Sequence, residues 1–102
     1  MSEEVLNKIK SQVEGNPIVL YMKGTPLFPQ CGFSGKVVYV LKELGVEFMA
    51  VNVLDDSDIR EAIKIFGDWP TIPQLYISGE LVGGCDIITE LFESGELKNM
   101  LG

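Results

Sequence analysis

Residues 18–22 read IVLYM, five apolar residues in a row between two stretches of helical periodicity. A run this short cannot cross a bilayer, and with apolar side chains on both of its alternating faces it reads as a strand covered on each side. Strands of that kind belong to sheets with helices packed on both faces, so the chain points to an α/β architecture.

The flanking patterns fill in that layer plan. Val5, Leu6, Ile9 and Val13 recur at helical spacing, with Ser2 as candidate N-cap, and Gly15, Asn16 and Pro17 end the helix. Beyond IVLYM, a loop with Pro26 and Pro29 leads to Cys31, and Val37, Val38, Val40, Leu41 and Leu44 mark a second helix closed by Gly45. EFMAVNV (47–53) is expected as a second strand with Met49, Val51 and Val53 on one face. Ile59, Ala62, Ile63 and Phe66 form a third helical stripe, with Asp55, Asp56 and Ser57 as capping candidates and Gly67 as the stop. QLYI and ELV flank Ser78-Gly79, a tight-hairpin signal. Asp86 is expected to cap a helix through Phe92, and residues 96–101 add a short last turn. The order is α-β-α-β-α-β-β-α-α. A βαβ unit followed by a hairpin implies a mixed four-stranded sheet flanked by helices, and 102 residues without repeats or linkers imply one domain over 1–102.

Composition removes several function classes. Eight basic against fifteen acidic residues give a net charge of −7, which disfavours binding to nucleic acid or to an anionic membrane. Histidine is absent, so no Cys-His or Ser-His nucleophile and no histidine metal site can be built. The start, MSEEVLNKIK, carries acids and no apolar core, so neither a signal nor a transit peptide is expected, and the cytoplasm is the expected compartment. Two cysteines, Cys31 and Cys85, are present. A structural disulfide between them is not expected in a reducing compartment.

Cys31 lies where the buried strand has passed into a loop and a helix is about to begin. Free N–H groups at a helix N-terminus and the cation of Lys23 both favour a thiolate. A buried structural cysteine is the bland alternative; the neighbours Pro29, Gln30, Gly32 and Ser34 are not core residue types and argue for a reactive one. Ser34 stands three places on, where a dithiol centre would carry its second cysteine. Without an adjacent thiol, a mixed disulfide on Cys31 is expected to be resolved by a thiol from outside, such as glutathione, with Cys85 as the alternative within the chain.

KGTPLFPQCGFS followed by WPTIPQLYISGELVGGCD resembles the monothiol glutaredoxins of the CGFS class, which have the thioredoxin fold. The likeness in element order extends over nearly the whole chain, and the absence of an extra N-terminal thioredoxin-like domain implies the single-domain type. The resemblance implies a glutathione-binding groove. Lys23 and Arg60 would meet the glycine carboxylate, although Arg60 on its own reads as part of a solvated helix face. Thr71-Ile72-Pro73 would be the cis-proline turn of the fold, presenting the Ile72 backbone to an extended peptide, where general frequencies favour an ordinary trans proline. Cys85, mainly through its backbone, and Asp86 would hold the γ-glutamyl end, with a Gly-Gly bend and an N-cap as the plain reading. Phe33 is either a staple on the sheet or an exposed platform, and Trp69 reads as core or turn packing.

The resemblance also implies a 2Fe-2S cluster. Such a cluster generally takes four thiolates, and one chain offers only Cys31 at the site. Two chains and two glutathione molecules would supply the set, giving a homodimer when the cluster is bound and a monomer without it. Three functions follow as expectations: carriage of clusters to iron-sulfur recipient proteins, glutathione-dependent oxidoreduction of protein thiols through Cys31, and regulation with a BolA-like partner. Carriage is the one the resemblance favours, with weak enzymatic activity at most.

Overall fold

The computed structural model describes residues 3–101, so the capping role of Ser2 lies outside the described residues. The elements follow the expected order: α1 Glu3–Gly15, β1 Ile18–Met22, α2 Gly32–Glu43, β2 Met49–Asn52, α3 Ser57–Phe66, β3 Gln74–Ile77, β4 Glu80–Gly83, α4 Cys85–Ser94 and α5 Glu96–Met100. They build a four-stranded sheet in the order β2-β1-β3-β4. β1 runs parallel to β2, pairing Val19 with Met49, and antiparallel to β3, pairing Tyr21 with Gln74. Ser78 and Gly79 both adopt positive φ, 52° and 82°, which is the twist a two-residue hairpin between β3 and β4 requires.

Period-two alternation divides β1 between two half-cores. Val19 and Tyr21 join Ile9 and Val13 of α1 and Ile59, Ala62 and Ile63 of α3 on one face of the sheet. Leu20 and Met22 join Val37, Val38, Val40 and Leu41 of α2 and Ile88 of α4 on the other. This is why IVLYM is apolar throughout. β2 is shorter than expected but keeps the predicted facing, with Met49, Val51 and Val53 toward α1 and α3 and Ala50 toward α2.

Two expectations need correction. α4 begins at Cys85 with Gly84 as its N-cap and runs to Ser94, so Asp86 lies inside the first turn and caps nothing. Gly95, at φ 84°, ends the helix two residues later than Phe92. Ser34, counted among non-core residue types, is wholly buried. The capping choice at α3 falls on Asp56, whose carboxylate accepts from the Asp58 and Ile59 N–H groups at 3.0 and 3.2 Å. Among the described residues, no helix is long and apolar enough to cross a membrane.

Strand directions decide where chemistry can gather. The parallel strands β1 and β2 end at one edge of the sheet, and the register Tyr21 with Gln74 starts β3 at that same edge. β4 ends there too, since Gly83 pairs with Leu75. The loops into α2, α3, β3 and α4 therefore converge on one rim.

Candidate functional site

The loop from Lys23 to Cys31 is closed on itself. Gln30 N–H donates to the Lys23 carbonyl at 2.9 Å, Thr25 and Phe28 exchange backbone hydrogen bonds of 3.2 and 3.1 Å, and Gly24 bridges Pro29. Asn52 at the end of β2 ties the loop to the sheet, accepting from Gly24 N–H at 2.9 Å. Gly24 has φ 90°, and a Cβ there would lie 2.6 Å from the Gln30 nitrogen, so only glycine suits the position. The folded loop leaves Leu27 and Phe28 exposed, at 78% and 71%.

Cys31 is the N-cap of α2, with extended backbone at φ −151° and ψ 135°, and its neutral thiol forms no cap hydrogen bond. Its pKa is held below the ordinary value of 9.0 chiefly because the Ser34 backbone N–H stabilises the thiolate. Burial opposes the shift, while the Phe33 N–H, the Lys23 ammonium and the Ser34 hydroxyl add to it. The expected thiolate environment is thus present, with the helix N–H of Ser34 ahead of Lys23 in effect. Cys85 is also a free thiol.

The converging loops enclose a groove of about 540 Å³. The thiol and each residue expected to meet glutathione lie on it: Lys23 and Cys31 from the end of β1 and the start of α2, Arg60 from α3, Thr71 and Ile72 from the loop before β3, and Cys85 and Asp86 from α4. The Ile72–Pro73 bond is cis. No turn or loop hydrogen bond among the described residues uses the Ile72 N–H or carbonyl. Neither Lys23 nor Arg60 has an ion-pair partner among the described residues. The groove can therefore meet anionic groups with unpaired cations, an extended backbone with Ile72, and a further carboxylate with the N–H groups opening α4.

Sequence reasoning missed part of this wall. Lys64 lines the groove one helical turn after Arg60, a neighbour that the i, i+4 spacing on α3 could have revealed. Trp69 and Pro70 line it as well, although Trp69 reads from sequence as packing. The Trp69 indole N–H is buried without a hydrogen-bond partner. Phe33, left open between staple and platform, is 63% exposed and flanks the thiol. No group of three or more cysteine or carboxylate side chains could hold a metal ion among the described residues.

Comparison with known proteins agrees with this arrangement. The glutaredoxin family model matches residues 18–82. The chain is 56% identical over 101 residues to a probable monothiol glutaredoxin 2 of Rickettsia typhi, covering 99% of this chain and 91% of that protein. The solution structure of reduced poplar apo GrxS14 superposes with a TM-score of 0.82 at 47% identity, over 93% of this chain and 87% of that one. A crystal structure of a buckwheat glutaredoxin-glutathione complex superposes with a TM-score of 0.85 at 29% identity, over 99% and 94%. With one activated thiol at the head of α2 and relatives of this likeness over its whole length, the chain belongs to the glutaredoxin family, among its monothiol members.

Proposed function

We propose that the chain binds glutathione in this groove and carries a 2Fe-2S cluster held between two protomers. The observation that carries the reading is a single activated thiol, Cys31, beside an anion-ready groove, with the resolving position occupied by the buried hydroxyl of Ser34. Lys23 and Arg60 meet the glycine carboxylate of glutathione. The Ile72 backbone pairs with its cysteinyl residue alongside Thr71. The N–H groups of Cys85 and Asp86 take the γ-glutamyl carboxylate, and the Asp86 side chain takes the ammonium. That a glutaredoxin of 29% identity has been crystallised with glutathione supports the ligand.

The cluster is cargo, and the donor count decides how it is held. Two free cysteines line the groove, Cys31 and Cys85; with Cys85 engaged through its backbone and no histidine in the chain, a four-thiolate set takes two Cys31 thiolates and two glutathione thiolates. Phe33, exposed beside Cys31 on the groove, gives each protomer an apolar surface at such a shared centre. Two of the four ligands are exchangeable small molecules, which suits delivery to recipient proteins. Anaerobic reconstitution with iron, sulfide and glutathione tests this. One 2Fe-2S cluster and two glutathiones per dimer, lost together in Cys31→Ser, is the expected result. A monomer that binds glutathione and never holds iron overturns it.

The lowered Cys31 pKa favours a second reading, removal of glutathione from protein thiols. The Cys31 thiolate attacks the glutathionyl sulfur of a mixed disulfide, and the target leaves as a thiolate that takes a proton from water. A second glutathione thiolate then attacks the Cys31-bound sulfur, releasing glutathione disulfide and restoring the Cys31 thiolate. In sum the disulfide bond passes from the target to glutathione: the target sulfur ends as a free thiol, one free glutathione is consumed, and it leaves joined to the glutathionyl group as glutathione disulfide.

A further inference from the structure

We propose that Gln74, which does not touch the groove, is a positioning residue that aims the Ile72 N–H into it; the inference rests on the glutathione reading of that groove. Gln74 opens β3 and is wholly buried, an uncommon place for a long amide. Both ends of its amide are used. Its Nε2 donates to the Trp69 carbonyl at 2.9 Å and to the Thr71 carbonyl at 3.2 Å, and its Oε1 accepts from the Tyr76 hydroxyl at 2.9 Å. Carbonyls only accept, so the amide nitrogen must face the loop, and the Tyr76 hydroxyl donates to the oxygen that remains.

The consequence follows from peptide planarity. The Thr71 carbonyl and the Ile72 N–H belong to one peptide unit, and that unit is trans, the cis bond being the next one. In a trans peptide the two groups point in opposite directions. Pulling the Thr71 carbonyl inward to Gln74 therefore turns the Ile72 N–H outward, on the side where Thr71 and Ile72 line the groove. Gln74 provides the only side-chain hydrogen bonds to residues 69–73 among the described residues, since the Trp69 indole N–H is buried without a partner. Tyr76 braces the amide from below, inside the half-core against α1 and α3.

Three measurements on the full apo chain test this: calorimetric titration with reduced glutathione, the pH dependence of Cys31 alkylation by iodoacetamide, and urea unfolding to fix the folded fraction. Gln74→Met keeps the volume and removes both donations. About tenfold weaker glutathione binding in the folded protein is expected, with the pH midpoint of alkylation unmoved, because Cys31 is held by β1 and α2. Tyr76→Phe removes only the brace and is expected to weaken binding in the same direction by less. Should Gln74→Met fail to fold, Tyr76→Phe decides alone. Affinity within about twofold of the unsubstituted chain overturns the inference, and so does an alkylation midpoint that moves together with the affinity. If the unsubstituted chain binds no glutathione, the glutathione reading falls and takes this one with it; normal binding with unaffected variants removes this one only.

Discussion

The Ser34 hydroxyl accepts a hydrogen bond from the Lys23 backbone N–H at 3.1 Å, tying the first turn of α2 to the residue that follows β1. The position where a dithiol centre keeps its second sulfur is therefore a buried structural joint. Ser34→Ala leaves that N–H without its acceptor and is expected to cost about 1 kcal/mol in urea unfolding. Ser34→Cys gives up the same acceptor and is expected to gain little disulfide reductase turnover. A strong gain in a coupled glutathione assay would show that the groove lacked only a resolving thiol.

Cys31 alkylation should titrate below the range of an ordinary cysteine, and Cys31→Ser should abolish that component. The sign for stability follows from the lowered folded-state value. The ionised thiol contributes stability that is fully present above the unfolded value near 9.0 and is lost as pH falls through the lower folded value. Lys23→Gln should move the alkylation midpoint upward by a small amount, because the Ser34 N–H outranks Lys23 among the causes. An unchanged midpoint would place the ammonium outside the field of the thiol.

Arg60→Gln removes an unpaired cation from the groove without breaking any ion pair among the described residues. Folding stability should stay within about 0.5 kcal/mol, while glutathione binding weakens by about tenfold. The unsubstituted chain should lose affinity as salt rises, and the variant less so, since part of the screened attraction is gone. Titration at two ionic strengths reads both effects.

Gly24→Ala combines a φ of 90° with a Cβ 2.6 Å from the Gln30 nitrogen and 2.8 Å from its Cγ. A loss of about 2 kcal/mol or more is expected in urea unfolding. Because the Gln30 bond to Lys23 is what returns the chain to Cys31, the alkylation midpoint should rise as well. Gly67→Ala strikes elsewhere: its Cβ would collide with the Tyr76 hydroxyl and lie 2.9 Å from Gln74 Oε1. It should cost about 1–3 kcal/mol and leave the alkylation midpoint alone.

The element order was legible because α1, α2 and α3 each carry an apolar stripe, β1 is apolar on both faces, and Ser78-Gly79 marks the hairpin. The capping of α4 was misread because an acidic residue beside a Gly-Gly bend is a good cap by type, while the chain places Gly84 at the boundary itself. Ser34 was misjudged for a related reason. Residue type gives no sign that a hydroxyl points inward to a strand end eleven residues away in sequence. The groove residues Lys23, Arg60, Thr71, Ile72, Cys85 and Asp86 were reached through resemblance to whole segments, since spacing alone does not join a helix face at 60 to a bend at 84. Gln74 and Trp69 stayed hidden because their roles depend on which carbonyls and walls the fold brings beside them.

The two half-cores lie on opposite faces of one sheet, α1 and α3 on one side and α2 and α4 on the other. The groove crosses the end of that sheet and takes walls from α2, α3 and α4 together. A molecule that fills it would be a clasp across the seam, gripping helices from both layers. Occupancy would then resist the shearing apart of the layers, and the empty groove is expected to belong to the mechanically looser of the two forms.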